Sequence, residues 1–331
     1  MCATEASEIK TFSLLGPDRD AIGLDISENG QSPLSLIPWL RQQNAFLREL
    51  IDRHGAVLLR GFVPPEEGGL SDVLINLGGE LADYIYKSTP RTRVQGRVFT
   101  ATEYPADQWI PQHCEMAYAR TWPRLLAFQC VTAAESGGHT PLADLARVTA
   151  RLPADLLDRF EARGVLYVRN YGLGVDLHWS DVFQTEDRAE VDALCARARI
   201  ETEWLDEEHL RTRQTCQGTA PHWRTHHRMH FNQAHLFHPS NLPTDVRDAL
   251  ESAFGVEDLP RNALYGDGSE IDETDLSTVR AAFDAETRQF DWQAGDVLLI
   301  DNMRWSHGRS PFTGKRRVLV AMADALSASA G

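Results

Sequence analysis

The stretch HGRSPFTGKRRVLVAM, residues 307–322, decides how this chain is read. A histidine closes one segment. Ser310, Pro311 and Gly314 then supply turn chemistry, and a β-branched apolar run opens at Arg316 and Arg317. Immediately upstream, residues 296–300 (DVLLI) form a second apolar run. Two strands joined across a turn, with His307 on the first and arginines at the mouth of the second, are what this pattern predicts. Working outward, further short strand-like runs appear at residues 56–62, 97–100, 125–131, 165–168 and 230–232, separated by Gly, Pro and Asn rather than by regular helices. That spacing favours an antiparallel β core. Helical periodicity interrupts it at residues 38–53, 153–163, 186–199, 243–254 and 273–283, with capping or first-turn residues at Pro153, Thr185, Thr244 and Asp272 and a closing Gly55. The expectation is a mainly β protein with α insertions, built as a sandwich or double-stranded β-helix (jelly-roll) core. With no repeat and no low-complexity linker, residues 1–331 read as a single domain.

Far upstream of His307 lies His113-Cys114-Glu115. On a strand the side-chain period is two, so His113 and Glu115 would share a face and Cys114 would point away as packing. Two histidines and one carboxylate with open positions form the facial set used by non-haem iron(II) oxygenases. The His-x-acid pair is a weak signal alone: chance supplies about 1.7 in a chain with 12 histidines and 48 acidic residues. His307 and the arginines behind it give it context, because an arginine about ten residues after the histidine could form a bidentate pair with a dicarboxylate. Neighbours on a strand face opposite ways, so one of Arg316 and Arg317 should point to solvent.

Bulk properties narrow the alternatives. The chain has 331 residues, 42% hydrophobic and 24% charged, as in ordinary globular proteins. A net charge of −15 argues against a nucleic-acid footprint and against docking on an anionic membrane. No run approaches the roughly 20 apolar residues of a membrane span. The opening MCATEASEIKTF lacks a basic segment followed by an apolar one, so a secretory leader is not expected. Five widely spaced cysteines (2, 114, 130, 195 and 216) with no CxxC pair suggest neither a disulfide framework nor a thiolate zinc site, and a cytoplasmic location is expected.

Several ordered segments resemble the taurine dioxygenase and clavaminate synthase-like superfamily of iron(II)/2-oxoglutarate oxygenases, most nearly its syringomycin-type aspartyl hydroxylase branch. They are GAVLLRGF (55–62), TEYPADQWIPQHCEMAY (102–118), ESGGHTPLAD (135–144), RNYG (169–172), FQTEDRAEV (183–191), RTRQ (211–214), FNQAHLFH (231–238), YGDGSEI (265–271) and the stretch from His307. The resemblance implies iron(II) held by His113, Glu115 and His307. It implies a distal 2-oxoglutarate carboxylate held by Thr140 and by Arg316 or Arg317, with Arg316 favoured. Asn232 falls in a segment that lines the family's site and is a candidate substrate contact. Implied too are O2 as co-substrate and hydroxylation of an amino acid or amino-acid-derived metabolite, free or tethered to a carrier protein, in secondary metabolism. Four positions depart from the branch: Cys114 replaces Asn, His139 replaces Glu, His230 replaces Trp, and Trp109 stands where a smaller residue is usual.

Three rivals are set beside this reading. The same oxidant could desaturate or cyclise its substrate. A zinc enzyme could use the histidine-rich stretch 222–238, although His227 occupies the place where a zinc protease needs a glutamate. A β-sandwich could bind without catalysis. The sequence does not specify an oligomeric state.

Overall fold

The two apolar runs around His307 become neighbours of one long central strand. In the computed structural model, which describes residues 9–27, 33–82, 86, 88 and 91–328, an eight-stranded sheet is the largest element. Its order is Lys10–Ser13, Ile22–Asp25, Ala56–Arg60, Val297–Asp301, Thr121–Thr132, Arg317–Ser327, Val98–Thr100 and Arg93–Gln95. Pairing is antiparallel except between Ile22–Asp25 and Ala56–Arg60. The stretch 1–8, read above for a leader and containing Cys2, lies outside the described residues.

Both faces of this sheet are covered, which explains why its strands read as continuous apolar runs rather than as alternation. Leu58, Phe128, Leu298 and Val320 enter one core cluster. The intervening Val57, Ala127, Leu299 and Leu319 enter a second, with Leu40 and Leu47 of helix Leu36–His54 and Leu70 and Val73 of helix Leu70–Asn76. Each fully buried Leu or Val contributes about 1.5–3 kcal/mol. Gly55 ends the first helix at φ 69°, and a Cβ there would come within 2.9 Å of the Trp305 ring, so both conformation and space require glycine.

A three-stranded antiparallel sheet, Ile110–His113, Trp305–Arg309 and Leu142–Asp144, contributes Leu142, Ala143 and Trp305 to the first cluster. The molecule is therefore mainly β, with helices packed around it. A four-stranded sheet (Glu201–Trp204, Leu210–Cys216, Val165–Tyr171, Arg261–Tyr265) forms a further layer. The expected helices appear at Leu36–His54, Ala154–Arg163, Arg188–Ala198, Thr244–Phe254 and Glu273–Glu286. Two caps differ. Asp187 rather than Thr185 accepts from the helix, at Ala189 N, and Pro243 rather than Thr244 holds the N-cap position. Leu145–Arg151 and Ala234–Phe237 are helices the sequence did not announce, being too short to show a period. No helix among the described residues is long and apolar enough to cross a membrane.

Candidate active site

His307 sits at the middle of the three-stranded sheet, paired with His113 on one side and Leu142 on the other, with the register shifting between His307 and Arg309. The two imidazole centroids are 4.4 Å apart, and Phe128 lies edge-on to His307 at 5.2 Å. Buried Gln112 ties the three strands together: it accepts from Ser306 Oγ at 2.7 Å and donates to Pro141 O at 3.1 Å.

Glu115 reaches the same point by a different route from the one expected. The strand stops at His113, and Glu115 opens a turn in which Met116 takes φ 57°. The i, i+2 strand argument therefore does not account for the convergence. Asn302 does. Its side chain accepts from Glu115 N at 2.7 Å and donates to Glu115 O at 2.9 Å and Pro123 O at 2.8 Å. The fully buried amide thus clamps the Glu115 backbone to the chain five residues before His307. Cys114 is buried as expected, and burial holds its thiol far above the ordinary range, so it is no nucleophile at neutral pH.

His113, Glu115 and His307 each offer a ligand atom within 4.8 Å of the others, and no other group of three or more His, Cys, Asp or Glu among the described residues does so. His113 Nδ1 donates to Pro111 O at 2.8 Å, which leaves the Nε2 lone pair for a metal. His307 Nε2 is 3.9 Å from Glu115 Oε2. Burial depresses the pKa of both imidazoles, so both are neutral donors. Two neutral imidazoles and a carboxylate suit iron(II). The cluster also carries a cation that sequence reasoning missed: Arg91 NH2 is 2.6 Å from Glu115 Oε2, and both side chains are buried.

Around this cluster the pocket is lined by Arg91, Thr140, Arg309 and Arg316, with Ile110 and Val318 as apolar walls. Arg316 and Arg317 part company here. Arg316 enters the pocket, its Nε donating to Gly138 O at 2.8 Å. Arg317 turns outward to Glu67 at 2.5 Å, and the register shift between Arg317 and Val318 accompanies the divergence. Among the described residues no carboxylate pairs with Arg316. Burial, and behind it the nearby Arg309 charge, lower its pKa to about 10. Arg309 is committed to the carbonyls of Tyr104, Pro105 and Gln108. Thr140 Oγ1 lies 2.9 Å from Trp292 Nε1. Nothing in the local sequence marked Arg91 or Trp292, because each comes from outside the strand of His307, whereas Arg309 stands two residues beyond His307 on that strand and was passed over.

Asn232 does not line this pocket. Its amide donates to Gly218 O at 2.6 Å and its oxygen accepts from Ala234 N at 3.0 Å, so it builds the turn into helix Ala234–Phe237. The histidine-rich stretch is dispersed rather than convergent. His222 faces Asp301, His226 takes φ 57° in a turn, His235 bonds Gln112 O, and His238 caps Ser240. No zinc site forms there among the described residues. Of the departures, His139 bonds Ser310 and Asp291, while His230 is buried against Phe160 and Phe283 and pushed down to about 4 by that burial.

A family model described as "Taurine catabolism dioxygenase TauD, TfdA family" matches residues 21–322. A dapdiamide synthesis protein, DdaC, of Enterobacter agglomerans is 41% identical over 282 residues, covering 85% of this chain and 86% of that protein. A clavaminate synthase-like protein of Arabidopsis thaliana is 31% identical over 296 residues, covering 86% of each. Among solved structures, PvcB of Pseudomonas aeruginosa, described as an Fe, alpha-ketoglutarate-dependent oxygenase from an isonitrile synthetic pathway, shares the fold. It has a TM-score of 0.56 and 16% identity over 97% of this chain and 94% of that one.

Proposed function

The chain belongs to the taurine catabolism dioxygenase TauD, TfdA family and is a 2-oxoglutarate-dependent dioxygenase using iron(II) and O2; from that premise we propose that it hydroxylates an unactivated C–H bond of an amino acid or amino-acid-derived metabolite, free or held on a carrier protein, in secondary metabolism. The observation that carries this reading is the convergence of His113, Glu115 and His307 within 4.8 Å beside Arg316. The 41% identical relative is a dapdiamide synthesis protein, which supports the metabolic setting. The eight- and three-stranded sheets, sharing one core cluster, are read as the two walls of a jelly-roll core in one domain, residues 1–331.

His113, Glu115 and His307 are the metal ligands of this proposal. Iron(II) bound there, with 2-oxoglutarate and O2, supplies an oxidant for C–H hydroxylation, with succinate and CO2 as by-products. The chain's own part is positioning. Asn302 keeps the Glu115 carboxylate at the strand end, and Arg91 fixes one of its oxygens. Arg316 binds the distal carboxylate of 2-oxoglutarate through its terminal nitrogens, its Nε being already engaged by Gly138. Thr140 assists, and Trp292 decides how. An indole N–H can only donate, so Thr140 Oγ1 accepts from it and its own hydrogen is left to donate to a carboxylate.

Anaerobic addition of iron(II) and then 2-oxoglutarate tests this. A visible charge-transfer band is expected only when both are present, and it should vanish in His113→Ala and His307→Ala. No band in the wild type would overturn the assignment.

A further inference from the structure

Arg316 lines a second cleft as well as the metal pocket. Ala101, Thr102, Arg309, Arg316 and Val318 line both that pocket and an outer cleft of about 490 Å3, so the two share a wall. The cleft adds Lys315 and Arg317 to Arg309 and Arg316, against Glu103 as its one acidic lining residue. Counting Glu67, which is paired with Arg317, two positive charges remain in surplus. Lys315 is exposed, placed by the turn at Gly314 (φ 75°) that brings the chain into the strand Arg317–Ser327.

This local sign is opposite to that of the whole molecule, whose net charge is −15. A dicarboxylate approaching such a protein meets a repulsive mean field and is drawn to the place where the field reverses. A zwitterionic amino acid gains far less from the same patch. We propose that this cleft is the approach path for the 2-oxoglutarate dianion, with Lys315 as a steering residue that contacts the incoming anion and plays no part in the bound complex. The inference rests on the oxygenase reading above. It divides the labour among the basic residues: Lys315 acts on the rate of arrival and Arg316 on retention.

The test is stopped-flow association of 2-oxoglutarate with anaerobic iron(II)-loaded enzyme at several ionic strengths. It compares wild type, Lys315→Glu and, as a control for net charge, Arg197→Glu on helix Arg188–Ala198, which lines neither cleft nor pocket. Lys315→Glu should slow association about threefold at low ionic strength, with an unchanged dissociation rate. The difference should close near about 0.5 M salt, where screening falls below roughly 5 Å. Arg197→Glu should match wild type. Equal association rates for the two charge reversals would overturn the path while leaving the oxygenase reading intact. Failure of the wild type to bind 2-oxoglutarate at any salt would overturn both.

Discussion

Glu115 and Glu286 are each 2% exposed, and each is ion-paired with arginine. Glu286, the last residue of helix Glu273–Glu286, meets three: Arg19 at 2.9 Å, Arg147 at 2.9 Å and Arg151 at 2.5 Å. Arg147 and Arg151 stand four apart on helix Leu145–Arg151, so the carboxylate fastens two helices and the amino-terminal segment together. Glu115 meets one arginine and two neutral imidazoles. Burial of a charge is thus no guide to function by itself. A carboxylate saturated with cations is a fastener. One paired with a single cation, beside two lone-pair donors, is prepared for a metal ion.

Exchanging each for its neutral isostere should separate the two roles. Glu115→Gln is expected to abolish the iron- and 2-oxoglutarate-dependent band, while Glu286→Gln should leave it unchanged; a band lost equally in both would erase the contrast. In urea denaturation Glu286→Gln should lose about 3 kcal/mol, since it breaks a buried pair and leaves Arg19 with only the exposed Asp18. Burial pushes the Glu286 carboxyl up, but its hydrogen bonds with Arg147 and Arg151 prevail and its pKa lies below the ordinary 4.5. A depressed folded pKa means stability that is fully present above the unfolded value and lost as pH falls through the folded one. Wild type should therefore weaken below about pH 4.5 more steeply than Glu286→Gln, and parallel acid limbs in the two would refute the linkage.

Smaller effects sharpen the Glu115 side. Arg316→Gln should weaken 2-oxoglutarate binding about 30-fold or more, the equivalent of at least about 2 kcal/mol for a buried charged contact. Arg317→Gln, removing an exposed pair, should stay within about twofold. Titration of the band reads both, and equal losses would reject the assignment of Arg316. Trp292→Phe should raise the 2-oxoglutarate dissociation constant about fivefold, one neutral hydrogen bond's worth. Combined with Thr140→Val it should add little further, because both act through the same hydroxyl. Full additivity would show that the indole serves packing alone.

The sequence by itself determined the β class, the principal helices, the three candidate metal ligands and the pair of arginines from which one was to be taken. The β class and the helices rest on short-range information, periodicity and turn chemistry, while the ligand set and the arginines rest also on the resemblance to the family. It misled at Glu115, where a strand rule was extended two residues past the end of the strand; Asn232, read as a candidate substrate contact or a turn residue, has its side chain in a local turn. The tertiary structure alone decided that Arg316 faces inward while Arg317 meets Glu67. It also brought Arg91 to the pocket, Asn302 to Glu115 and Trp292 to Thr140, and Arg19, Arg147 and Arg151 to one carboxylate. These groups lie tens to hundreds of residues from their partners, and their meeting is fixed by sheet register and core packing, which no local pattern encodes.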